Sequence, residues 1–78
     1  MEKKWITTEQ MLEALRQRPD TVQLYEHRLG TWLSSEHCLE YNSKKNNYGD
    51  STAVEDWDWY TEAQFLENHS GEWWRIVV

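Results

Sequence analysis

The chain has 78 residues, fourteen Asp and Glu against eight Lys and Arg, and a formal net charge of −6. That length leaves room for a single compact domain over residues 1–78 and little surface for a substrate cleft. The charge opposes direct nucleic-acid binding, which needs a cationic surface to neutralise phosphates, and one cysteine, Cys38, excludes an intrachain disulfide.

The charge is segregated. Residues 1–49 hold seven acids and seven bases, while from Asn46 to Trp74 there is no basic side chain. Asp50, Glu55, Asp56, Asp58, Glu62, Glu67 and Glu72 all fall in that second stretch, opposed only by Arg75, and account for the whole net charge. A chain this small buries only about 60% of the surface its unfolded form exposes, and six tryptophans are the available compensation. The mean hydropathy of −0.96 would suit a disordered chain, but the aromatic content and the helix signals oppose that reading. No run of about 18 apolar residues occurs, and Met1-Glu2-Lys3-Lys4 is not followed by an apolar segment of signal-peptide length. A cytoplasmic protein with no membrane contact is expected.

Taken in order, Trp5 to Leu15 opens a helix. Thr7 is an N-cap, Gln10 completes a capping box, Ile6 and Met11 are spaced for a hydrophobic staple, and Met11, Leu12 and Leu15 share one face. Pro19 and Asp20 stop it near Gln17 or Arg18. Across residues 21–42, Val22, Leu24 and Glu26 alternate with Gln23, Tyr25 and His27, and Gly30 can turn the chain into Thr31-Trp32-Leu33. A helix capped by Asp20 and ended by Gly30 competes, but the cluster of Thr, Val, Tyr and Trp favours a hairpin. Cys38 to Tyr41 extends its second strand or forms a third. Residues 42–52 read as a polar loop. From Ala53 to Trp59 alternation puts Trp57 and Trp59 on one face of a short strand, Asp56 and Asp58 on the other.

A second helix start follows. Thr61 caps, Gln64 closes the box, Tyr60 staples to Phe65, and Ser70-Gly71 ends the element after Asn68 or His69. Trp59 to Glu67 thus matches Trp5 to Glu13, read as two helix starts converging on one solution because nothing beyond these nine residues repeats. Glu72 to Val78 is a closing strand with Trp74, Ile76 and Val78 on its apolar face and Trp73, Arg75 and Val77 on the other. The expected fold is α+β, two helices packed on one face of a small, mainly antiparallel sheet.

Catalysis has little support. His37 and Cys38 are adjacent in a strand and point to opposite faces, so they form no dyad. Cys38 and the histidines at 27, 37 and 69 match no zinc spacing, so no metal or cofactor is expected. Glu55, Asp56 and Asp58 read as solvated acids rather than a glycosidase pair, and the isolated glycines form no phosphate loop. Sugar stacking on tryptophan would explain the aromatics but not the one-sided charge.

Carboxylates and aromatics on one surface can instead occupy a site built for phosphates and bases. The partner would be a basic, nucleic-acid-binding protein whose arginines pair with the carboxylates. Glu55, Asp56, Trp57, Asp58, Glu62, Glu67, Glu72 and Trp73 are the candidate partner-binding residues, with Trp57 and Trp73 the tryptophans expected to stand exposed. In size and charge alone the chain resembles small acidic inhibitors of bacteria and their viruses, such as immunity proteins that block nuclease toxins. That resemblance implies a non-enzymatic inhibitor that occludes a basic site by nucleic-acid mimicry. The alternative is a structural subunit that self-associates, for instance as a homodimer, through exposed aromatics.

Overall fold

Thr7 and Thr61 start the two helices as their side chains dictate. Each accepts from the backbone N–H of the glutamine three residues on, at 3.2 Å, and the glutamine Oε1 accepts from the threonine N–H, at 3.0 Å for Gln10 and 2.9 Å for Gln64. These reciprocal bonds satisfy donors the first turn would otherwise leave open. The resulting α1 spans Thr8–Gln17 and α2 spans Glu62–Asn68. The structure, a computed structural model, describes residues 4–52 and 56–77, with residues 32–34 described through their backbone alone.

Six strands form one sheet: β1 (Ile6–Thr7), β2 (Gln23–Leu29), β3 (Trp32–Asn42), β4 (Asn47–Ser51), β5 (Asp58–Tyr60) and β6 (Trp73–Ile76). Their spatial order is β1-β6-β2-β3-β4-β5, and every pairing is antiparallel. The hairpin reading of residues 21–42 therefore holds over the helical one. Gly30 turns it with φ of 62°, a left-handed value that glycine adopts without a Cβ penalty. Alternation along β2 buries Gln23, Tyr25 and His27 and leaves Leu24, Glu26 and Arg28 only half-buried.

Two segments depart from the sequence reading. The polar loop expected over 42–52 contracts to a four-residue turn, because the Asn42 side chain accepts from the N–H groups of Lys44 and Lys45 and folds the chain back at once. Asn47–Ser51 is then a strand whose Tyr48, Gly49 and Ser51 are buried. Ile6 and Thr7, expected only to precede the helix, pair with Trp74 and Trp73 as an edge strand. The expectations for Ala53, Val54 and Val78 lie outside the described residues.

Both helices pack against the same side of the sheet. Met11, Leu12 and Leu15 of α1 and Phe65 of α2 close over Tyr25, Leu39, Tyr48 and Trp74, and this set is the buried core. The opposite sheet face, which presents Leu24, Glu26, Cys38 and Arg75 by register, carries no helix among the described residues. The fold is α+β, with both helices against a six-stranded antiparallel sheet. No helix among the described residues is long and apolar enough to cross a membrane.

Candidate functional site

Two arrangements stand out, one exposed and one buried. The exposed one sits on the edge strand β5. Register places Trp59 opposite Gly49, and Trp57 and Trp59 stack with ring centroids 5.8 Å apart and planes inclined by 24°. Both indoles rest on Gly49, where a Cβ would fall within 2.9 Å of each ring, so the absence of a side chain is what lets them lie on the backbone. Trp59 is 41% exposed and Trp57 half-buried, whereas Trp57 is the one of the two expected to stand exposed. A ring's exposure depends on what lies under it, and here that is decided by the β4–β5 register. Asp56 and Asp58 alternate with the two indoles along the chain and are exposed.

The other candidate partner-binding residues scatter. Glu62 is exposed in the first turn of α2 but faces Arg16 at 2.5 Å, and Glu67 is exposed on the same helix. Trp73 is 41% exposed, yet its strand lies four strands from β5, roughly 19 Å across the sheet. Glu72 is no surface acid: its side chain is 12% exposed and its carboxylate is bound by two histidines. Glu55 lies outside the described residues. The fold therefore gathers Asp56, Trp57, Asp58 and, unforeseen, Trp59 at one edge.

The buried arrangement surrounds Trp74. Its indole N–H donates to Thr8 Oγ1 at 2.9 Å, and Thr8 Oγ1 donates onward to the His69 carbonyl at 2.8 Å, tying β6 to the ends of both helices. Three histidine rings crowd the indole, His27 at 4.4 Å, His69 at 5.3 Å and His37 at 5.6 Å between centroids. His27 and His37 reach it because both lie on the helix-facing side of the β2–β3 hairpin, and His69 because it is the C-cap of α2.

Two carboxylates join these rings. Glu72 Oε1 contacts both His27 Nε2 and, at 2.7 Å, His69 Nδ1. Asp50 Oδ1 meets His37 Nδ1 at 2.7 Å, and Asp50 Oδ2 faces His69 Nε2 at 3.9 Å. The far nitrogen of His37 meets the Ser35 hydroxyl at 2.9 Å. Burial pushes the His27 pKa down, against the raising influence of Glu72, so the neutral imidazole is favoured. His27 Nδ1 is itself buried without a hydrogen-bond partner.

Sequence spacing missed this cluster because its members come from β2, β3, β4 and the turn after α2. Only the i, i+3 pair His69 and Glu72 was local enough to be read as a possible ligand pair. Neither protein-family models, nor curated proteins, nor solved structures match this chain.

Proposed function

We propose that this chain is a small, non-catalytic, cytoplasmic binding protein that docks its β5 edge onto a basic, nucleic-acid-binding protein and occludes its phosphate-binding site. One observation carries the reading: the Trp57–Trp59 stack is seated on Gly49 with one indole presented to solvent, and the exposed Asp56 and Asp58 alternate with the indoles along the same edge segment. An anchored aromatic loses little side-chain freedom on binding, which suits it to the centre of an interface. The carboxylates supply what an arginine-lined groove recognises, and they steer encounter at low salt. Glu62 contributes less, since Arg16 already offsets its charge.

The test compares wild-type protein with an Asp56→Lys/Asp58→Lys variant as bait in a host lysate at low and high salt. The expected result is capture of one basic nucleic-acid-binding protein, released by added DNA or RNA. With the captured partner purified, association with the variant should be at least about tenfold slower at low salt. Unchanged affinity of the double charge reversal would reject the proposal, as would capture of nothing but further copies of the chain.

A further inference from the structure

We propose that His27, His69 and Glu72 form a binding site for one borderline divalent transition-metal ion, represented by Zn²⁺, with Asp50 holding His69 from behind. The three candidate donor atoms lie within 4.8 Å of one another. Tetrahedral zinc with bonds of about 2.0–2.1 Å sets its donors about 3.3 Å apart. The Glu72 Oε1 to His69 Nδ1 separation of 2.7 Å therefore opens by roughly 0.6 Å on binding, a side-chain adjustment.

Lone pairs converge at this point. His37 Nε2 lies 2.9 Å from the Ser35 hydroxyl, which can donate or accept there, and His37 Nδ1 lies 2.7 Å from Asp50 Oδ1, where an Nδ1–H would donate to the carboxylate. Asp50 Oδ2 is then left to face His69 Nε2. If neutral His69 places its proton there, its Nδ1 lone pair is directed at the Glu72 carboxylate, acceptor against acceptor. With the proton on Nδ1, His69 donates to Glu72 at 2.7 Å, and its Nε2 stands 3.9 Å from Asp50 Oδ2, beyond hydrogen-bond reach. A metal ion between His69 Nδ1, His27 Nε2 and Glu72 would take up the lone pairs that converge there, with Asp50 3.9 Å behind His69 Nε2, near enough to draw in as a supporting carboxylate.

Charge points the same way. Asp50 and Glu72 are 14% and 12% exposed, and among the described residues their ion-pair partners are histidines alone. Two partly buried carboxylates converge on the histidines, a concentration of acidic groups that a divalent ion would offset. The donor set of two imidazole nitrogens and one carboxylate selects zinc, cobalt, nickel or copper over calcium and magnesium, which take oxygen. Glu72 also lines a surface pocket of about 400 Å³ with Thr8, Leu66, Ser70 and Trp73. His27 Nδ1 has no backing acceptor, so the affinity should fall below that of a fully supported site.

Zinc chloride titrated into the chelator-stripped 78-residue chain should give one ion per chain and a melting temperature that rises with zinc concentration. His69→Gln and Glu72→Gln should each weaken binding at least tenfold. An Asp56→Asn/Glu67→Gln variant should bind as the wild type does, which separates this site from exposed acids. Cobalt added to the unmutated chain supplies an independent readout, and an intense four-coordinate visible spectrum is expected. Only the weak spectrum of the hydrated ion, or zinc affinity retained in both His69→Gln and Glu72→Gln, would overturn the site. Neither result bears on the β5 edge, which is tested separately.

Discussion

Gly49 shows how much a single position can carry. A Cβ there would fall 2.8 Å from the Trp59 ring and 2.9 Å from Trp57, closer than carbon atoms approach without something moving. Trp59, the more exposed of the two, is the ring able to tilt away. Gly49→Ala should therefore cost about 1 kcal/mol, at the low end for overpacking, and shift tryptophan emission toward that of a solvated indole. Urea melts and fluorescence spectra check both effects, and an unaltered spectrum would mean that the indoles do not rest on this backbone. Alternation in the sequence was enough to put Trp57 and Trp59 on one face. The glycine beneath them was not legible, because it is delivered by a strand that the polar composition of residues 42–52 disguised as a loop.

At the scale of elements, the local signals translated most faithfully. The nine-residue correspondence between Trp5–Glu13 and Trp59–Glu67 becomes the same strand–cap–helix passage, placed at both edges of the sheet. Capping boxes involve residues three apart and so need no knowledge of the fold. The expected staple between Tyr60 and Phe65 is present as an edge-to-face pair with centroids 6.0 Å apart. At seven residues, α2 is too short to persist on its own propensity, so its cap matters. Thr61→Ala should destabilise the protein by about 1 kcal/mol, Thr7→Ala by a similar amount, and the double variant by nearly their sum because the caps share no partner. Denaturant titration of the four proteins measures this, and a Thr61→Ala variant as stable as the wild type would show that packing alone holds α2.

At the scale of the whole molecule, the decisive event is the insertion of β6 between β1 and β2. It places Trp74 opposite His27 and carries the preceding turn, with His69 and Glu72, into the same region. The closing strand was legible from the apolar alternation of Trp74 and Ile76. Its neighbours were not, since pairing between distant segments leaves no periodicity in either one. That is why three histidines that look unrelated in the sequence surround one indole in the fold. Contacts between Ile6 and Trp74 also span almost the whole chain, and closing so large a loop comes before any return from the contacts it permits. Refolding monitored by stopped-flow fluorescence should accordingly take milliseconds to seconds rather than microseconds. Among the described residues the outermost strands have only two and three residues and offer other chains a poor template, while residues 32–37 of β3 pair with β2 alone. A chain still being synthesised has no such protection: until residues 73–76 emerge, β2 is a bare border seven residues long, open to any strand that arrives first.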